Sequence, residues 1–191
     1  SGLPTGLMLA DIRSEALKLN LPDNIILDGE IYAGQKPGTT EPLHPLRLIN
    51  GAVSTQTMKP KHMQILNDVD LYVYDAVLLD DPDADFVTRY RTAAKYLAPY
   101  TGSKFKLVPN YIVKNEQEMN NLFGQFLQEG YEGLMVRNAK GPYQFSRSKN
   151  LQKVKPVEDD EFEIIGYKEG TGSHEGMVIW ECALPNGKTF S

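Results

Sequence analysis

Apolar side chains recur every three or four residues at Met119, Leu122, Phe123, Phe126 and Leu127, the spacing that collects one face of an α-helix. Asn115 precedes this run, and Glu118 follows it three residues later. Such a pair can cap the first turn reciprocally, and Gly130 supplies the stop. The stripe therefore predicts a helix that packs on a core and does not contact a ligand. Helical spacing also covers residues 86–97, and residues 10–20 through Ile12, Ala16 and Leu19. Strand patterns alternate with these helices. Ile25 to Ala33 places Asp28 and Glu30 on one face and Leu27, Gly29 and Ile31 on the other. Leu71 to Leu79 is almost continuously apolar and predicts a strand covered on both faces. Lys106 to Val113 and Glu132 to Arg137 read as further strands. Residues 34–62, rich in Gly, Pro and Thr, predict an irregular excursion, and Asp80 to Asp85 an acidic turn.

Pro156 to Asp160 reads as a linker. After it come two strand patterns, Phe162 to Lys168 and Met177 to Ala183, around a Gly-rich turn at Glu169 to Gly176. Pro185-Asn186-Gly187-Lys188 signals a hairpin, and Thr189 starts a third strand. So few strands cannot bury a core alone. The expected domains are 1–156 and 157–191, the second incomplete.

Composition changes this picture little. With 41% hydrophobic and 24% charged residues, the chain has the make-up of a soluble globular protein. No apolar run suits a membrane span, and the N-terminal residues lack signal-peptide features. A single cysteine, Cys182, excludes an internal disulfide and suggests a reducing, intracellular location, cytoplasmic or nuclear. The net charge of −5 argues against a uniformly basic nucleic-acid binder. The distribution of charge matters more. From Arg137 to Lys155 there are six basic residues and no acid: Arg137, Lys140, Arg147, Lys149, Lys153 and Lys155. Acids then follow from Glu158 to Glu163.

Candidate chemistry falls on these segments. A carboxylate such as Glu132 can hold a divalent cation, and Lys153 and Lys155, one residue apart on a strand, point the same way and can hold phosphates. Taken singly, Glu30 and Glu132 also fit surface carboxylates, Tyr74 a core residue, Arg137 a rim position and the two lysines a solvated edge. His44, His62 and His174 have no metal-like spacing.

The order of the pieces resembles the covalent nucleotidyltransferases, and among them the ATP-dependent DNA ligases, especially the phage and large-virus type. Asp28-Gly29-Glu30 resembles the family's third motif, Asp70 to Asp75 its adenine-stacking strand, Glu132 to Arg137 its fourth motif and Lys153-Val154-Lys155 its fifth. The segment Arg89-Tyr90-Arg91 and the run Ser146 to Leu151 match further family stretches. The resemblance implies an α+β nucleotidyltransferase (ATP-grasp-like) adenylation domain of antiparallel sheets with flanking helices. The start of an OB-fold β-barrel would follow it. It implies ATP and Mg²⁺ or Mn²⁺ as cofactors and nicked duplex DNA as partner, with a monomeric enzyme. A lysine attacks ATP to give lysyl–AMP, the adenylate passes to the 5′-phosphate of a nick, and the 3′-hydroxyl displaces AMP. On that reading Glu132 holds the metal, Glu30 contacts the ribose or the metal, and Tyr74 stacks on adenine. Lys149, Lys153 and Lys155 hold phosphates, while Arg89, Arg137 and Arg147 are candidates for DNA contact or the pocket rim. The family's nucleophile sits in Lys-x-Asp-Gly, which occurs nowhere in this chain. A fragment trimmed at both ends is therefore expected, unable to adenylate itself. An RNA ligase, an mRNA-capping guanylyltransferase and a non-catalytic nucleotide- or nucleic-acid-binding module remain the alternatives.

Overall fold

The computed structural model describes residues 9–55, 57–157 and 160–191. The expected linker includes Glu158 and Asp159, which lie outside the described residues. The chain divides into two compact units, the first ending at Lys155 and the second running Pro156–Ser191.

The first unit begins with α1 (Ala10–Ala16), continued by a 3-10 turn at Leu17–Leu19. Then come β1 (Ile25–Tyr32), α2 (Leu46–Ser54), α3 (Pro60–Asp68), β2 (Asp70–Leu78), α4 (Phe86–Leu97), β3 (Phe105–Leu107), α5 (Glu116–Gln128), β4 (Leu134–Arg137) and β5 (Leu151–Val154). One sheet has the order β1-β2-β3, and β4 pairs with β5 in a second. β1 runs antiparallel to β2, whereas β3 runs parallel to it, so the first sheet is mixed and not wholly antiparallel.

Three expectations need correction. Residues 34–62 are not simply irregular, because α2 and the start of α3 lie within them. Their turn-rich flanks masked a helical repeat in which Ile49 and Ala52 are buried. Pro60 opens α3 at a position where a missing amide costs nothing. The strand expected to reach Val113 stops at Leu107. Val108 still donates its amide to the Val73 carbonyl, but Pro109 has no amide to continue the ladder. Finally, Glu132 precedes β4 and does not lie in it. Gly133 takes φ +152°, and a Cβ there would stand 2.1 Å from the Val154 carbonyl oxygen. That close approach ends the strand at Leu134 and excludes any side chain.

The remaining elements follow their patterns. Asp85 caps α4 by accepting from the Thr88 amide. Asn115 caps α5 through the Glu118 amide, while Glu118 accepts from Lys114, one residue before the expected partner. The apolar stripe of α5 is half-buried, with Phe126 packed between Tyr111 and Tyr131.

The core of the first unit sits between β2 and α4, where Val73, Ala76, Ala93, Leu97 and Phe105 are buried together with Leu19. A second cluster gathers Ala33, Ile49 and Val69. Inside this apolar setting lies a carboxylate, Asp75, with no exposed surface. Arg89 of α4, itself 2% exposed, donates to both Asp75 oxygens at 2.9 and 3.1 Å. Arg137 of β4 reaches the same carboxylate. Arg89 also donates to the carbonyls of Ala84 and Gly141. A buried charge with two guanidinium partners and filled hydrogen bonds is tolerable; a lone one is not.

The second unit is an antiparallel sheet of β6 (Glu163–Glu169), β7 (Val178–Ala183) and β8 (Thr189–Phe190). Tyr167, Trp180 and Ile164 remain more than half exposed on it. No closed barrel is formed by the described residues. Among those residues, no helix is long and apolar enough to cross a membrane.

Two outcomes follow. Asp75→Ala leaves two cations unpaired, one of them fully buried, and should cost about 3–5 kcal/mol in urea unfolding, against a smaller loss for the double change Asp75→Leu with Arg89→Met. Gly133→Ala should cost about 1–3 kcal/mol, with amide exchange accelerating first at β4 and β5. Unchanged exchange there would contradict the close approach.

Candidate nucleotide and phosphate site

The sequence-predicted lysine pair and Glu132 do meet. β4 and β5 pair antiparallel with Met135 opposite Lys153 and Leu134 opposite Val154. Lys153 and Lys155 therefore project to the same side, with Val154 turned away. Their ammonium groups lie 3.4 and 2.9 Å from one oxygen of Glu132. Gly130, at φ +86°, ends α5, and Tyr131 packs edge-on against Phe126, which fixes the approach of Glu132. The Glu132 side chain is 76% exposed. Lys155 first, and Lys153 second, hold its carboxyl below the ordinary range, while Glu132 pushes Lys155 up. Exposed pairs of this kind add little to stability, because water and salt screen them. Two ammonium groups on one carboxylate leave a net positive charge facing water, which suits an anion.

A second group forms where β1 meets β2. The register runs Asp28 opposite Asp75 and then Gly29 opposite Val73, so Tyr74 is one extra residue, a β-bulge. Bulges re-aim a side chain, here the tyrosine. A Cβ on Gly29 would stand 2.6 Å from the Tyr72 carbonyl oxygen, so the middle residue of Asp28-Gly29-Glu30 must be glycine. Tyr74 is half-buried. Burial raises its hydroxyl pKa, the charges of Asp28 and Glu30 raise it further, and Arg137 opposes them. The Arg137 guanidinium lies 5.7 Å from the Tyr74 ring centre and 4.6 Å from that of Phe86. Arg137 is thus held by two rings and the Asp75 carboxylate.

The other expected residues separate into inside and outside. Arg89, a candidate for DNA contact, is interior, with its donors spent on Asp75, Ala84 and Gly141. Arg147 and Lys149 are exposed on the segment between β4 and β5, and Glu30 is exposed on β1. Two participants went unread in the sequence. Asp75 was signalled by an acid inside an apolar strand and by Arg89 on the apolar face of its helix, beside Phe86 and Ala93. Tyr143 gave no such signal. Its hydroxyl donates to Asp28 at 2.9 Å, and burial first, then this bond, pushes its pKa up to about 12.

Among the described residues, no three His, Cys, Asp or Glu side chains come together as a metal cage. The donor set fits a hard cation only as one carboxylate supplemented by phosphate oxygens and water, a sharing that magnesium accepts. A cavity of about 410 Å³ is lined instead by residues such as Glu15, Lys18, Tyr100 and Lys104, and includes none of these groups.

Comparison with known proteins gives this geometry a family. The family model described as the ATP dependent DNA ligase domain matches residues 7–155. The DNA ligase of African swine fever virus (isolate Warthog/Namibia) is 33% identical over 190 residues, covering 95% of this chain and 42% of that protein. The DNA ligase of Thermococcus onnurineus is 30% identical over 169 residues, covering 86% of this chain and 29% of that protein. The chain thus spans about two fifths of the first of these relatives. A solved Lig E DNA ligase superposes with a TM-score of 0.67 at 21% identity, covering 86% of this chain and 59% of that one. The Chlorella virus DNA ligase-adenylate does so with a TM-score of 0.52 at 24% identity, covering 93% and 64%. At such identities the superpositions speak for the fold alone. With its first unit matched almost throughout, the chain belongs to the ATP-dependent DNA ligase domain family.

Proposed function

We propose that residues 9–155 are the nucleotide-holding part of an adenylation domain in an enzyme that seals nicks in duplex DNA, and that residues 157–191 begin an OB-fold. The single observation that carries this reading is the Glu132 carboxylate gripped by Lys153 and Lys155. It adds little to stability, so its value lies in what it can exchange. A nucleotide phosphate takes the lysines as point charges and frees Glu132. Magnesium, when bound, supplies further charge neutralisation and geometry for in-line displacement at phosphorus. β4 carries this cluster before one end and Arg137, against Tyr74, at the other. Arg137 comes five positions after Glu132, so their backbones stand no more than about 18 Å apart even in a fully extended chain. That reach suits an extended mononucleotide, with the base toward Tyr74 and the phosphates toward the lysines.

In this scheme Tyr74 offers a ring face to adenine, and Glu30 accepts from the ribose hydroxyls. Lys149 extends the phosphate-binding charge, and Arg147 faces the DNA backbone. On this reading the nucleophilic nitrogen belongs to a lysine in a Lys-x-Asp-Gly motif, which residues 1–191 do not contain. Its attack on the α-phosphorus forms the N–P bond and releases pyrophosphate. The adenylate then passes to a 5′-phosphate, and a 3′-hydroxyl displaces AMP to leave the phosphodiester.

The 191-residue chain incubated with ATP and Mg²⁺ should show no AMP adduct by intact-mass spectrometry, whereas the full-length natural protein should show one. An adduct on the short chain would place the nucleophile among residues 1–191. In the full-length protein, Glu132→Gln should slow adduct formation about 10²-fold, the scale of losing one charge-stabilising group, with no change in thermal midpoint. Equal rates would reduce the cluster to a surface ion pair.

A further inference from the structure

The segment between β4 and β5 is tied down along its first half and left open along its second. Asn138 donates its amide to the Asn150 carbonyl at 2.8 Å, and the two side chains bond at 3.0 Å, which closes the base of the loop. The Ala139 carbonyl accepts from the Val87 amide, and the Gly141 carbonyl from buried Arg89. Tyr143 then plugs inward, bonded to Asp28 and lying 5.5 Å below the Arg89 guanidinium. Two residues later the chain does the opposite. Phe145 is 83% exposed, its ring edge-on to Tyr143 at 5.0 Å. Arg147 and Lys149 follow it two and four residues on, both exposed, and neither takes part in an ion pair among the described residues.

A phenylalanine so exposed forgoes the free energy that covering its apolar surface would give. Here the loop's anchors and the Tyr143 ring hold it out. An exposed aromatic ring followed on the same short segment by two exposed cations is the equipment of nucleic-acid contact: the cations take phosphates and the ring takes a sugar or base face. Resting on the nick-sealing reading above, we infer that Phe145 is a substrate-contacting residue. It packs against a nucleotide of the duplex beside the nick, and Tyr143 is the positioning residue that presents it.

The test uses the full-length natural protein on a nicked DNA duplex. Phe145→Ala should raise KM for the duplex about tenfold, the lower range of losing one base–aromatic contact. The value of kcat should hold within about twofold and the thermal midpoint should stay fixed, and Phe145→Trp should restore KM. Tyr143→Phe, which keeps the ring and removes the tether to Asp28, should raise KM in the same direction by a smaller factor. An unchanged KM in Phe145→Ala would overturn the inference while leaving nick sealing intact. A fall in thermal midpoint matching the loss of activity would overturn it too, since Phe145 would then be packed within the protein. If the unaltered enzyme seals no nick, the functional reading fails and takes this inference with it.

Discussion

Everything in the first unit is arranged around the need to neutralise Asp75. The carboxylate sits in the middle of the central strand, where water cannot reach it. Its partners come from α4 and from β4, elements far from it and from each other in sequence. Arg89 is 14 residues away and Arg137 is 62. The triad therefore does what apolar packing alone does loosely. It fixes β4 at a set distance and rotation relative to β2. Apolar faces slide; a buried guanidinium with five donors does not. Because β4 leads back through Gly133 to Glu132, the position of the lysine-bound carboxylate is inherited from this interior pair.

The same triad explains why the site is built from two kinds of interaction. Near Asp75 the contacts are buried and rigid: Arg137 between Tyr74 and Phe86, and Tyr143 on Asp28. Near Glu132 they are exposed and exchangeable. On the proposed reading, a ligand bound at both ends would meet a fixed wall for its planar part and movable cations for its charged part. Such a division limits the ordering that binding must impose.

Much of this was readable from the chain, and the reasons are local. α4 and α5 declared themselves through apolar period and caps, and β1 and β2 through alternation and β-branched runs. Lys153 and Lys155 could be paired because side chains two apart on a strand share a face. What escaped depended on distance or on detail. The bond from Tyr143 to Asp28 spans 115 residues, and no periodicity encodes it. Arg89 and Arg137 resembled surface cations because their partner was hidden in an apolar run. α2 was obscured by its Pro- and Gly-rich flanks, and β3 was cut short by one missing amide at Pro109.

The bulge at Tyr74 has a consequence for how this strand can change over time. Upstream of it, Asp70 to Val73 pair with β1 in one alternation; downstream, Asp75 to Leu78 pair in the opposite one. The additional residue is what lets both halves keep their faces. Deleting any one position in β2 would restore a regular ladder and turn one half over, bringing Asp75 toward solvent or the tyrosine-bearing half into the core. Replacements within the strand can be tested by selection one at a time. A change of strand length by one residue cannot, so β2 should tolerate neither insertion nor deletion while the surrounding loops accept both.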